Sequence, residues 1–554
     1  MRISALVRLF HTVRYLKPGQ LLGRVAFRLC RPRLDMRPAP PRREVSGHWY
    51  LHTWREPSML GPVAFRFLNQ TRSFASGSDW NHPEWDKLWL YNLHYFDDLT
   101  ARDSTVRTEW QRALIQRWIA ENPAPFGNAW EPYPLSLRIV NWIKWMLLKG
   151  GVSSGDDDIV QSLAVQTRHL ERNIEHDLSA NHLLANATAL TASGLYFGSE
   201  EGDRWLEEGL RLFKRELPEQ VLGDGGHYER SPMYHAIVLE QLLDVLNVLY
   251  GASDPLLDRL AEERRLLEST AASMQSWLEL LSHPDGEMSF FNDSTMGVAL
   301  RVPDLRAYCD RLGLATPVPR DDVVHLTESG YFRITSEDDR TLVLFDAGPV
   351  GPDHQPGHGH CDALSFELSR DGRRVFVNSG ISTYERGEER LRQRRTAAHN
   401  TVTVDGADQC ELWGSHRCGR RHGILSAASS GRSAEAGHSG FAHLNGSPLH
   451  RRTIEVLESG LNVRDGFDGE EEHELEWSLR VHPDIEARRA GSGVELTVDG
   501  EPLATLKFSP DLSLSVTDSS WHPGFNLSLP CPLITASWRG RLPAGFELKI
   551  SWSR

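Results

Sequence analysis

YHAIVLEQLLDVLNVLY, residues 234–250, decides the first half of the fold. Its apolar side chains recur at i, i+3, i+4 and i+7, the period of an α-helix. SLRIVNWIKWMLLK (136–149) and ANHLLANATALTASGLY (180–196) repeat that period. Breakers at Asn122-Pro123, Gly150-Gly151, Gly223 to Gly226 and Pro284-Asp285-Gly286 separate one helix from the next. From about Trp80 to Leu312 the chain therefore reads as all-α. After about Pro317 the period drops to two: TLVLFDAG, ALSFELS, RRVFVNSG, HNTVTVDG, RTIEVLES and GVELTVDG alternate apolar and polar residues. Asp371-Gly372, Asp405-Gly406 and Asp499-Gly500 are hairpin turns. Short strands with turns roughly every ten residues predict an antiparallel β-sandwich. The division falls near 313–325, giving a helical domain over 46–315 and a β domain over 316–554.

A chain of 554 residues, 40% hydrophobic and 25% charged, has ample material for two cores. No run approaches the ~18 apolar residues a membrane span needs. Six scattered cysteines are too few for a disulfide framework and fit a reducing compartment. The charge is uneven. Residues 1–43 hold eleven Lys/Arg and one acid, a net +10, while the rest carries −24. A negative body argues against a nucleic-acid binder. The basic segment 1–45 opens with Leu6, Leu9, Phe10 and Val13 at helical spacing and is broken by Arg8, Arg14 and Lys17. It has no secretion-signal pattern. It reads as a basic amphipathic helix, docked on its own acidic body or touching a membrane surface.

Four segments carry candidate chemistry. In HDLSANHLLANA, Ser179 stands at an N-cap, which puts Asn181 and His182 in a first helical turn. In HYERSPMYHAIVLE, Ser231 caps, Pro232 takes the first position, and Tyr234 lies in the first turn. Backbone N–H groups and the positive dipole end there attract a carboxylate and favour ionisation of a nearby phenol. In PGHGHCDALSFEL, His358, His360 and Asp362 are spaced by two and point one way if the segment is extended. Imidazoles so spaced can share a metal or divide labour with acid–base work. In GEERLRQRRTAAHNTVTVDG, Arg390, Arg392, Arg394 and Arg395 crowd ahead of His399, a cluster suited to a sulfated or carboxylated polymer. Ten of the seventeen tryptophans precede residue 146; most belong in a core, and one or two can stack on sugar rings.

The order of these segments resembles the heparinase II/III family of polysaccharide lyases. So do YLKPGQLLGRVAFRL (15–29), the W-x-P-Y-P-L-S-L-R-I-V-N-W stretch from Trp130 to Trp142, and FFNDS (290–294). The resemblance implies an incomplete (α/α) toroid followed by the β-sandwich. It also implies a carbon–oxygen lyase that eliminates across C4–O4 of uronic-acid units in glycosaminoglycans or bacterial exopolysaccharides. By motif, Asn181 resembles the residue that neutralises the uronate carboxylate, with His182 beside it. Tyr234 resembles the catalytic tyrosine, in preference to Tyr228, and His358 the histidine across the cleft. His360 and His399 resemble two ligands of a structural, zinc-like metal. The family's third ligand is an aspartate on the next strand; this chain has Asn378 in VFVNSG, a weaker ligand.

A proton α to an ionised carboxylate is weakly acidic, so Asn181 and the helix end would stabilise the charge that forms on its removal. Tyr234 as phenolate, or His358, is then the base, and Tyr234 the acid for O4. Asn181, Tyr234 and His358 are expected to meet in one cleft between the domains, with Arg390, Arg394, Arg395, Trp130 and Glu229 as substrate contacts. Two other readings compete. A glycoside hydrolase would use a carboxylic pair, Glu229 with Asp285 or Asp293. A polysaccharide-binding or assembly factor would need no turnover.

Overall fold

The structure, a computed structural model, describes residues 2–20, 23–24, 33–44, 47, 49–50, 54–123, 125–148, 156–319 and 321–553. The Gly150-Gly151 breaker, Cys30 and much of YLKPGQLLGRVAFRL lie outside them. Three helices form the inner layer of the first domain: Pro132–Leu148, Ala180–Tyr196 and Pro232–Tyr250. Asp157–Glu171, Ser199–Gln220 and Ala261–Leu280 back them from outside. The inner helices are apolar almost all round because they are covered on both sides. Helices Ala180–Tyr196 and Ser199–Gln220 approach so closely that a Cβ at Gly194 would lie 2.4 Å from the Leu206 nitrogen, and one at Gly209 2.3 Å from Thr191 Oγ1. Trp80, Trp89, Trp118, Trp142, Trp145, Trp205 and Trp277 are fully buried here. A three-stranded antiparallel sheet over 59–73 precedes the helices, an addition the sequence pattern did not predict.

The β domain begins at Val323–Leu326, the first strand of a five-stranded antiparallel meander ending at Arg373–Phe376. An eight-stranded sheet has Gly460–Asp468 paired with the last strand, Ala544–Trp552. A four-stranded sheet sets Glu472–Arg480 between Leu529–Arg541 and Val402–Val404. The strands read from sequence are present. At each of the three predicted turns both residues have positive φ (Asp371 51°, Gly372 80°; Asp405 53°, Gly406 65°; Asp499 52°, Gly500 83°), as a tight type I′ turn requires. Two local readings are corrected. PGHGHCDA is a looped segment rather than a strand, and the arginine run is a short helix, Glu388–Arg394.

Candidate active site

The first turns of the three inner helices open on one cavity of 1190 Å³, lined among others by Tyr133, Asn181, His182, Glu229, Tyr234, His358, Tyr384 and His416. The structure thus brings Asn181, Tyr234 and His358 together. Ser231 caps its helix by accepting from the Tyr234 N–H at 3.1 Å, with Pro232 at the first position. Ser179 occupies the cap position of the other helix, but its side chain makes no capping hydrogen bond and its φ is +60°. The backbone turn, and not the hydroxyl, aims Asn181 inward.

Tyr234 stacks on His358 with ring centroids 3.7 Å apart, and its hydroxyl donates to Tyr384 Oη at 3.1 Å. Burial holds the phenol well above its ordinary pKa, and Tyr384 and Asp293 push the same way. Desolvation thus outweighs the helix end and favours the protonated hydroxyl, against the phenolate that was one of the two bases expected from sequence. Asn181 Nδ2 donates to Glu229 Oε2 at 2.9 Å. Burial raises the Glu229 pKa, so part of its population stays neutral above the usual carboxylate range. For His182 burial opposes the charge, but Glu175, hydrogen-bonded to Nδ1 at 3.0 Å, more than compensates and the pKa rises.

The opposite wall hangs on Asp293. One carboxylate oxygen meets His358 Nδ1 at 2.8 Å and the other His360 Nε2 at 2.8 Å. Arg390 spans both oxygens, with Nη2 at 2.7 Å. Burial opposes the Asp293 charge, but Arg390 and the two histidines hold its pKa well below the ordinary value. With Nδ1–H committed to Asp293, His358 presents Nε2 to the cavity, 3.9 Å from Glu229 Oε1. Gly359, between the histidines, tolerates no side chain, since a Cβ would meet the Val350 carbonyl oxygen at 2.2 Å.

Several expected contacts are not in the cavity. Arg390 and Arg394 are fully buried and do not line the cavity; both donate to the Ser415 carbonyl and Arg394 also to that of Gly359, so they hold the loops behind it. Arg395 is half exposed beside Glu388 and Asp408, outside the cavity lining. Trp130 is core, edge-on to His169 and tilted against Trp118, its N–H on the Asn122 carbonyl. Tyr228 is buried off the cavity, and Asp285 pairs with Arg374. Sequence reasoning missed Tyr384 and did not see Asp293 as a hub. FFNDS was the only signal for the latter.

Behind His358, the His360 and His399 rings lie 5.2 Å apart. Burial lowers the His360 pKa to about 4 and that of His399 well below its usual value. His360 gives its Nε2–H to Asp293, and His399 directs Nδ1 at Asn378 Oδ1, 3.3 Å away. His360 Nδ1 and His399 Nε2 are left with no partner among the described residues. A donor atom from each of these histidines and one from the Asp362 carboxylate lie within 4.8 Å of one another. This set could hold a divalent metal: two imidazoles lie beside a carboxylate, each ring fixed by an acceptor on its other nitrogen. Asn378, expected from sequence as the third member of the set, stands with its Oδ1 against His399 Nδ1, and the carboxylate beside the two histidines is that of Asp362.

The profile of the heparinase II/III N-terminus matches residues 62–308, and that of the heparinase II/III-like C-terminal region matches 318–552. The chain belongs to the heparinase II/III family. A heparin-sulfate lyase of Bacteroides stercoris is 26% identical over 402 residues, 62% of this chain and 58% of that protein. The chain thus spans less than two thirds of that relative's length. FtsZ-localized protein C of Caulobacter vibrioides is 24% identical, covering 75% of this chain and 73% of its own. The crystal structure of heparinase III superposes with a TM-score of 0.63 at 14% identity, over 88% of this chain and 79% of that one. At that identity the likeness shows the fold, a helical toroid followed by a β-sandwich.

Proposed function

We propose that this member of the family is a polysaccharide lyase that cleaves a uronic-acid polymer by β-elimination. The observation that carries the reading is the stacked Tyr234–His358 pair, a protonated phenol against an imidazole whose Nδ1 is fixed by Asp293. His358 Nε2 takes the C5 proton. The Tyr234 hydroxyl gives its proton to the departing O4, and Tyr384 holds that hydroxyl in line. Asn181, Glu229 and His182 receive the uronate carboxylate. When Glu229 is protonated it can donate to Asn181 Oδ1, freeing the amide N–H groups for the charge that builds on the carboxylate.

The cavity's charges support a polymer with few sulfates. Seven carboxylic side chains and four arginines line it. Three of those arginines are already paired: Arg55 with Glu240, Arg102 with Glu56 and Arg301 with Glu287. A densely sulfated chain would find little free positive charge. The test is ultraviolet absorbance during incubation with a panel of uronic-acid polysaccharides of graded sulfation. Elimination leaves a conjugated double bond that absorbs. New reducing ends without absorbance would instead support the hydrolase reading. We also assign a structural metal to His360, His399 and Asp362, where it would tie the His358 loop to the strand after His399. Elemental analysis of protein prepared without chelator checks it; a metal-free, fully stable preparation would refute it. A polysaccharide-binding or assembly factor without turnover is a second reading, kept open because one relative, FtsZ-localized protein C, is not named as a lyase. Tight polymer binding with no absorbance change would establish it.

A further inference from the structure

The helix Arg2–Val13 is mounted inside out. Its contacts with the body run along Arg8, Thr12 and Tyr15, positions i, i+4 and i+7. Arg8 Nε donates to Glu411 at 2.8 Å, Trp413 Nε1 donates to Thr12 Oγ1 at 3.1 Å, and the Arg421 guanidinium lies 4.1 Å from the Tyr15 ring centroid. The apolar row Leu6, Leu9, Phe10 and Val13 has the same spacing but faces solvent, with exposures of 66, 49, 62 and 41%. A helix that merely docked on its own protein would turn that row inward. Single exposed apolar side chains are ordinary; an aligned row opposite a polar anchoring face is not.

The occupant follows from charge. Residues 1–43 carry a net +10 on a chain whose remainder carries −24. Arg14 sits at the edge of the apolar row, its guanidinium 6.0 Å from the Phe10 ring and 4.5 Å from that of Tyr15, and Lys17, exposed but paired with Glu219, follows. Apolar side chains flanked by long cations suit a bilayer surface: the rings and branched chains enter the acyl boundary while the cations reach the phosphates. No described helix is long and apolar enough to cross a membrane, and an apolar row opposite a polar face suits lying on the surface. We infer that this helix docks the protein on anionic phospholipid. The acidic body is repelled by the same surface, which leaves this segment as the contact.

The test is co-flotation of the full chain with vesicles containing about 30% anionic phosphatidylglycerol, against vesicles of phosphatidylcholine alone. The chain should float with the anionic vesicles and fall several-fold on the neutral ones or in about 0.5 M salt. The double variant Leu6→Ser/Phe10→Ser should reduce the bound fraction by at least about tenfold. Its melting temperature should not change, because both side chains are exposed. Arg14→Glu should weaken anionic binding with the apolar row intact. Flotation with neither vesicle, or equally with both, overturns the proposal. So does a concentration-dependent dimer abolished by Leu6→Ser/Phe10→Ser, which would assign the row to a second copy.

Discussion

The two walls of the cavity are held in different ways. On the helical wall each side chain is aimed by its own helix start: Tyr234 by the Ser231 cap, Asn181 and His182 by the turn at Ser179. On the β wall His358, His360 and Arg390 all depend on one carboxylate, Asp293. A wall built from local caps should fail one residue at a time. A wall built on a shared buried charge should fail as a unit.

The sharpest way to break that comparison is Asp293→Ala. It strands the buried Arg390 guanidinium and frees the His358 ring, so we expect a stability loss of about 3–5 kcal/mol with turnover abolished. Denaturant unfolding and an activity assay check both. If stability stays near wild type, the hub is not shared. Tyr234→Phe removes one hydroxyl from the helical wall. Turnover should fall by roughly 10²–10⁴ while the melting temperature barely moves, since only the bond to Tyr384 is lost.

These two residues also mark where sequence reading works. Tyr234 was legible because its signals, Ser231 and Pro232, lie within three residues of it. The HxH spacing likewise exposed His358 and His360. Asp293 was not, because its partners lie 65, 67 and 97 positions away along the chain. The arginine run shows the opposite failure. Composition reports charge but not direction, and Arg390 and Arg394 turn into the protein where substrate contacts were expected. The same holds for the N-terminal helix, whose period was plain but whose orientation was not, and for Trp130, a core residue whose motif looked like a sugar platform. Helix and strand periods carried the domain division because burial on one or two faces sets them directly.

A milder change sharpens the helical wall. Burial raises the Glu229 pKa, so its protonated form persists above the ordinary carboxylate range and is lost as pH rises through the raised value. If protonated Glu229 helps hold the uronate, wild-type KM should climb with pH across that window. Glu229→Gln, neutral at every pH, should give a flat KM with kcat within about tenfold of wild type. A KM that rises equally in both proteins would remove Glu229 from the carboxylate pocket. The smallest effect belongs to Arg395→Ala. This side chain is half exposed and off the cavity, so stability should change by less than about 0.5 kcal/mol and turnover hardly at all. A large loss of turnover would return the arginine run to substrate binding.

The central claim is the division of labour: the β wall removes the C5 proton and the helical wall protonates O4. Its most direct test is exchange at C5, followed by NMR of substrate incubated in deuterated water with each variant. Tyr234→Phe, with base intact and acid removed, should incorporate deuterium at C5 faster than it cleaves. His358→Ala should neither exchange nor cleave. Exchange that survives in His358→Ala and vanishes in Tyr234→Phe would make the tyrosine the base and contradict the account.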